Sequence, residues 1–98
     1  MLEPSYPAFD SLVAVFRALG SPARLALLRR LSVAPARVGV LSDELGIPQP
    51  MTSHHLGVLR DAGLVVARRD GRATVYALTD GPLSQAVAQL VVSESPEM

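Results

Sequence analysis

Two adjacent histidines, His54 and His55, are the residues of this sequence with the clearest capacity for chemistry. An imidazole can ligate a metal, transfer a proton or hydrogen-bond near neutral pH. The chain has no cysteine and no third histidine. A metal or catalytic site would therefore need both histidines. It would also require that the segment that carries them direct both rings toward one ligand.

The segment from 50 to 62 has the periodicity of an amphipathic helix. At roughly 100° per residue, its inner side holds an apolar stripe and its outer side is polar. The inner side comprises Thr52, His55, Leu56, Leu59 and Ala62, and the outer side Pro50, Ser53, His54, Gly57, Arg60 and Asp61. The two histidines point to different faces and cannot chelate one ion together. We expect His55 to be buried and hydrogen-bonded, and His54 to face outward.

The elements around this helix predict a helix-turn-helix. A short helix over 40–45 ends at Gly46, a Pro-rich connector covers 47–50, and Gly63 stops the second helix. Two β-prone runs, 64–69 and 72–78, then flank Asp70-Gly71, which is a strong hairpin signal. A hairpin directly after a helix-turn-helix makes a winged helix.

Helices are also predicted on both sides of this unit. Residues 8–19 form one, followed by Gly20, and Ser21-Pro22 cap a second helix that leaves Arg24, Arg29 and Arg30 for solvent. Residues 32–37 are a break, and a last helix begins near Gly81-Pro82. The expected fold is mainly α with a β-hairpin, in the order α-α-α-α-β-β-α. It forms a single domain over 1–98, with an irregular arm at 1–7 and a frayed tail at 93–98.

Length and composition indicate a small domain that gains from association. The chain has 98 residues, of which 49% are hydrophobic. A domain of this size is marginally stable alone, and dimerisation is a common remedy. No apolar run is long enough to cross a bilayer, and Glu3, Pro4 and Asp10 make the start unlike a signal sequence. We expect a cytoplasmic protein without a membrane partner.

The charge of the chain is balanced overall but unevenly distributed. Its formal net charge is +0, which argues against an unspecific polyanion binder. All nine basic residues are arginines between Arg17 and Arg72, whereas Glu3, Asp10, Asp80, Glu94 and Glu97 lie outside that span. A neutral chain of this kind can still present one basic face.

Four runs of the sequence, taken in order, are specific. They are LGSPARLALLRRL, LSDELGI, TSHHLGVLRDAGLV and RRDGRATVYAL. Together they resemble the ArsR/SmtB family of bacterial repressors over about residues 9–92. The most specific part is Ser53, His55, Leu56 and Leu59, followed by the Ala62–Val65 run.

The resemblance implies a dimeric winged helix whose second helix-turn-helix helix enters the major groove of DNA. The implied DNA-binding residues are Gln49, Thr52, Ser53, His54, Arg60, Arg68, Arg69 and Arg72. The first and last helices would form the dimer interface, through Phe9, Leu12, Val13, Phe16, Leu83, Val87, Leu90 and Val91. Ser, Thr and Gln can bond base edges or phosphates, and arginine supplies phosphate affinity.

Structural alternatives remain for several of these residues. Thr52 lies at the centre of the inner face and could be purely a packing residue. His54 either contacts DNA or is solvated, and Arg68, Arg69 and Arg72 could be an ordinary solvated strand end. The apolar stripes of the first and last helices could belong to the monomer core.

The chain departs from the family at its metal-sensing positions. The stretch RVGVLSDEL has no cysteine, and the last helix has no histidine, so zinc, arsenite and copper lack their usual ligands. No cofactor is predicted. The effector could be a small molecule, a protein partner, an oxygen-ligated or terminal metal site, or absent. A weak nickel site would use the Met1 amine, Glu3 or His54.

The sequence as a whole predicts a homodimeric, sequence-specific transcriptional regulator that represses at an inverted repeat in double-stranded DNA. The alternative is a protein-binding winged helix, or a regulator acting with a second subunit, which the zero net charge fits slightly better. An enzyme is disfavoured, because the chain lacks cysteine, a metal cluster and a phosphate loop.

Overall fold

Five α-helices and three strands follow one another in residues 3–94, the part of the chain that the computed structural model describes. The helices are α1 (Asp10–Ala18), α2 (Pro22–Leu31), α3 (Val38–Leu45), α4 (Gln49–Asp61) and α5 (Pro82–Ser93). The strands are β1 (Ala36–Arg37), β2 (Val65–Asp70) and β3 (Ala73–Leu78). The predicted order of four helices, a hairpin and a last helix is confirmed, with β1 as an addition.

Local signals in the sequence fix the helix ends. The Ser21 side chain accepts a hydrogen bond from the backbone N–H of Arg24 (3.3 Å) and so caps α2, with Pro22 in the first turn. Gly46 ends α3 in the left-handed conformation (φ 67°), which glycine adopts without strain. The predicted first helix is divided, because a 3-10 turn over Pro7–Phe9 precedes α1.

The sheet has the order β1-β3-β2 and is antiparallel throughout. Ala36 pairs with Tyr76 and Arg37 with Val75, where the sequence predicted only a break. A two-residue strand is too short to show an alternating pattern, so only the partner strand defines it.

The hairpin turn lies one residue later than predicted. Asp70 pairs with Ala73, so the two loop residues are Gly71 and Arg72 rather than Asp70 and Gly71. Gly71 has a positive φ (65°) and Arg72 does not, which is the sign pattern of a type II′ turn with glycine first. The consequence is that Arg72 stands at the tip of the wing.

The core is aliphatic and centres on α2 and α4. Its largest fully buried side chains are Leu27, Leu28, Leu41, Leu56, Leu59, Leu64 and Thr52. Helix α2 contacts α3, α4, α5 and β3, so it is the central element against which the others pack. The inner stripe predicted for α4 is confirmed at Leu56 and Leu59.

The ends of the chain are only partly described. Residues 3–6 have no regular structure, and α5 continues to Ser93. Positions 1–2 and 95–98, which include most of the predicted tail, lie outside the described residues. Within 3–94, no single helix has the length and hydropathy to cross a membrane; only the bent pair Pro7–Ala18 and Pro22–Leu31 meets those criteria jointly.

Candidate nucleic-acid interface

The turn between α3 and α4 is held from both sides by hydroxyl groups. Ser42 Oγ donates to the carbonyl oxygen of Ile47 (2.5 Å), and Thr52 Oγ1 lies 3.3 Å from the same oxygen and 3.1 Å from Pro48 O. The backbone N–H of Ile47 donates to Ser42 O (3.2 Å). These bonds satisfy the polar groups of a tight, partly buried turn and set the angle at which α4 leaves α3.

Thr52 requires a correction to the sequence-based prediction. Its side chain is 0% exposed, and its hydroxyl is engaged with the turn carbonyls. A side chain in this position has no path to a base edge. The prediction of a DNA contact at Thr52 is therefore wrong for this structure, and its position at the centre of the inner face had already indicated packing.

The outward side of α4 is polar and exposed, as predicted. Gln49, Ser53, His54 and Arg60 are all exposed. A Cβ at Gly39 of α3 would lie 3.9 Å from Gln49 Oε1, so Gln49 extends along the junction of the two helices. The Arg60 side chain is 54% exposed, and its Nε is 3.9 Å from Asp61 Oδ1, too far for a hydrogen bond.

His55 lies on the inward side of the same helix, in contact with an arginine. Its Nδ1 is 3.2 Å from a terminal guanidinium nitrogen of Arg24 on α2. Burial, the Arg24 charge and the neighbouring His54 all lower the pKa of His55 from its ordinary value of 6.5. The predicted hydrogen bond of His55 is confirmed, but the residue is half-buried rather than buried. The two histidine rings lie 5.6 Å apart at their centroids, and His54 is exposed.

Arg24 was expected to face solvent and instead connects three helices. Its Nε donates to Ala18 O (2.6 Å) and a terminal nitrogen to Arg17 O (3.4 Å), both at the end of α1. Such last-turn carbonyls have no partner within their own helix. The sequence contains no local sign of this role, because the acceptors belong to other elements.

The wing presents the three predicted arginines, but on different faces. Arg68, Arg69 and Arg72 are exposed. Arg68 pairs with Val75 and Arg69 with Thr74, and consecutive side chains alternate along a strand. Arg68 and Arg69 therefore point to opposite sides of the hairpin.

Arg37 is a basic residue near the wing that sequence reasoning missed. It is exposed and pairs with Val75, which on its other side pairs with Arg68. Directly paired residues of neighbouring strands share a face of the sheet. Arg37 and Arg68 therefore lie in one row across the three strands, roughly 10 Å apart.

Helices α1 and α5 each leave several large apolar side chains uncovered. On α1 and the turn before it, Phe9 (55% exposed), Leu12 (42%), Val13 (43%) and Phe16 (65%) form a continuous stripe at helical spacing. On α5, Leu83 (44%) and Leu90 (62%) are similarly exposed. We call these six residues the apolar face.

Val87 and Val91 of α5 do not belong to the apolar face. They are 4% and 7% exposed and pack in the core of the protomer, beside α2. Their predicted place in a dimer interface is corrected by this burial. The periodicity of α5 predicts an apolar stripe that is wide enough to contact both the protomer core and a second protomer. Because α2 packs against α5, Val87 and Val91 lie in the core.

Among residues 3–94, no group of three or more His, Asp or Glu side chains lies close enough to hold a metal ion. The weak nickel site considered from sequence includes Met1, which is outside the described residues. Glu3 and His54 are both exposed.

The fold and this surface define a winged helix-turn-helix protein. A family model described as "Bacterial regulatory protein, arsR family" matches residues 21–66. The transcriptional repressor SmtB of Mycobacterium tuberculosis is 36% identical over 94 residues, which cover 90% of this chain and 70% of the relative. The chain belongs to the ArsR family of bacterial regulatory proteins, and the predicted family is confirmed.

Solved structures agree with this assignment. The transcriptional repressor BigR from Xylella fastidiosa superposes with a TM-score of 0.78 at 33% identity, over 90% of this chain and 87% of that one. A homodimeric winged helix-turn-helix DNA-binding domain from Mycobacterium bovis superposes with a TM-score of 0.82 at 26% identity, over 95% and 89% of the two chains.

Proposed function

We propose that this protein is a sequence-specific DNA-binding transcriptional repressor that acts as a homodimer on an inverted repeat. The observation that carries the proposal is the polar outward face of α4, the second helix of the helix-turn-helix. It presents Gln49, Ser53, His54 and Arg60 on a helix whose inner face is packed into the core through Leu56 and Leu59. A helix of this diameter fits the major groove of B-form DNA.

The residues of α4 suit distinct parts of a duplex. Ser53 and Gln49 can exchange hydrogen bonds with base edges, and His54 can contact either a base or a phosphate. Arg60, near the end of the helix, and the wing arginines supply phosphate contacts. Arg37, in the same row as Arg68, adds a further positive charge on the outer side of the sheet.

The apolar face supports the dimer. The exposed apolar stripe of α1 and the exposed leucines of α5 are costly in water, and a second copy of the chain would cover them. The M. bovis structure, described as homodimeric, has the same fold. A twofold arrangement would place the two α4 helices in successive major grooves, about 34 Å apart, and so select a palindromic site.

Two further features of the proposal rest on the relatives. SmtB and BigR are both named as transcriptional repressors, which supports repression as the sign of regulation. The similar proteins are regulators and not enzymes, which supports a non-enzymatic role. Action on chromosomal DNA implies a cytoplasmic location.

The decisive experiment is equilibrium binding to duplexes taken from DNA upstream of the gene, with a scrambled duplex as the control. Fluorescence anisotropy over a range of salt concentrations would give the affinity and the number of phosphates contacted, since log K falls by roughly 0.9 per phosphate per unit of log salt. We expect one upstream duplex to bind roughly a thousandfold more tightly than the scrambled one. Equal affinity for all duplexes, or none at low salt, would contradict the proposal and favour a protein-binding winged helix.

A further inference from the structure

We propose that Arg24 is a positioning residue for α4, the helix proposed to read DNA. Its guanidinium links neutral His55 to the end of α1, so that the orientation of α4 depends on whether the His55 imidazole is protonated. This role of Arg24 rests on the proposed function only in the experiment that measures duplex binding. Its basis is one side chain of α2 that contacts both α1 and α4.

The geometry fixes which partner donates. A guanidinium has only N–H donors and is always protonated. The 3.2 Å contact between Arg24 and His55 therefore requires that Nδ1 of His55 carry a free lone pair. His55 must be neutral, with its proton on Nε2.

The other end of Arg24 is anchored. Nε donates to Ala18 O at 2.6 Å, and a terminal nitrogen lies 3.4 Å from Arg17 O. Both carbonyls lie in the last turn of α1, whose outer side carries part of the apolar face. Through one planar group, the helix proposed for dimerisation is thus connected to the helix proposed for reading DNA.

Protonation would break this connection. A proton on Nδ1 turns an acceptor into a donor and places two positive charges in direct contact. From α2 the group facing His55 is Arg24 and from α4 it is His54, and both disfavour the imidazolium; α1 contributes the carbonyls that Arg24 holds. Among the described residues no carboxylate acts on the pKa of His55 to oppose them.

The direction of the effect follows from the lowered pKa of His55. The folded chain binds this proton less readily than the unfolded chain does. The bridge therefore stabilises the fold fully above about pH 6.5 and loses that contribution as the pH falls below it. We expect duplex affinity to decrease over the same range.

The first test compares the wild-type chain with His55→Asn, which keeps an oxygen acceptor near the place of Nδ1 but cannot be protonated. Between about pH 7.5 and about pH 5.5, wild-type affinity for the cognate duplex should fall on the order of tenfold, as expected for one lost charge-assisted hydrogen bond. His55→Asn should bind within roughly threefold of wild type at the higher pH and lose less than about threefold on acidification. A decrease in His55→Asn as large as that of wild type would overturn the proposal.

The matched control is His54→Asn at the neighbouring exposed position. The Arg24 guanidinium bonds the half-buried His55, whereas His54 lies on the outward face. The acid-induced decrease should therefore persist in His54→Asn. Its disappearance there would assign the pH dependence to the outward histidine and overturn the role of His55.

A second test needs no DNA. Nitrogen-15 NMR of the imidazoles should show His55 with its proton on Nε2, titrating below pH 6.5. In Arg24→Gln, the pKa of His55 should rise toward that value. A proton on Nδ1, or an unchanged pKa in Arg24→Gln, would overturn the bridge.

The two tests separate the two proposals. Absence of duplex binding by the wild-type chain would contradict the proposed function, and the NMR result alone would then support or overturn the bridge. If the wild-type chain binds the duplex but the NMR result contradicts the bridge, the proposed function is retained and the positioning role of Arg24 is rejected.

Discussion

Helices α1 and α4 are both amphipathic, yet the sides they expose have opposite chemistry. On α4 the apolar stripe is buried and the polar side faces solvent, as in most surface helices. On α1 the small residues Val15 and Ala18 are buried, while Phe16 is 65% exposed. The two outward faces therefore require different partners: a polar, charged one for α4 and an apolar one for α1.

This contrast also separates two kinds of evidence. A polar exposed helix face is ordinary, and only its place in a helix-turn-helix beside a basic wing favours DNA. An exposed stripe of large apolar residues needs an explanation in itself.

Phe16→Glu should abolish dimerisation. The change removes a large apolar contact and would place a carboxylate in the interface, so we expect the dimer dissociation constant to rise by roughly a hundredfold or more. Analytical ultracentrifugation measures the change, and DNA binding should fall with it.

Val33→Glu is the matched control for Phe16→Glu. Val33 is 80% exposed in the turn after α2 and lies off the apolar face. Its charge should leave the dimer intact. If both variants dissociate, or if neither does, the apolar face is not the dimer interface.

Ser53→Ala should reduce discrimination between duplexes while leaving the fold intact. One lost hydrogen bond in each protomer is worth about 1 kcal/mol, so the ratio of cognate to scrambled affinity should fall roughly thirtyfold in the dimer. Anisotropy titrations with both duplexes measure the ratio. An unchanged ratio would mean that Ser53 does not read the site.

Thr52→Val tests the neighbouring residue on the inner side of α4. Here we expect a loss of stability and no loss of discrimination between duplexes. The hydroxyl bonds to the turn are lost, but Ile47 O still accepts from Ser42 and Pro48 O from the backbone of residue 52. The free energy of unfolding should fall by about 1 kcal/mol, measured by urea denaturation, with cognate discrimination unchanged. A loss of discrimination at unchanged stability would restore Thr52 as a DNA contact.

Arg72→Ala should have the smallest effect, at the tip of the wing. A phosphate contact carries no base information, so cognate and scrambled duplexes should both weaken, by about threefold, and the salt slope should become shallower by roughly 0.9 per protomer. A loss confined to the cognate duplex would show that the wing reads sequence.

The sequence predicted most of the fold because its signals are local. Capping by Ser21 and Pro22, the left-handed Gly46 and the period of α4 depend on residues within a few positions of each other. That period also placed Ser53, His54 and Arg60 on the outward side of α4, and the resemblance to a family then implied that this side contacts DNA. The missed features, β1 and the bridge of Arg24, involve partners far along the chain, such as Val75 and His55.

By itself, then, the sequence determined the helices and the two strands of the hairpin, and which side of each helix is apolar. Tertiary structure decided what covers each side. It placed Val87 and Val91 in the core and left Leu83 and Leu90 exposed, although all four share one predicted stripe. The physical reason is that periodicity is a property of one helix, whereas burial depends on the neighbours that α2 and the sheet bring to it.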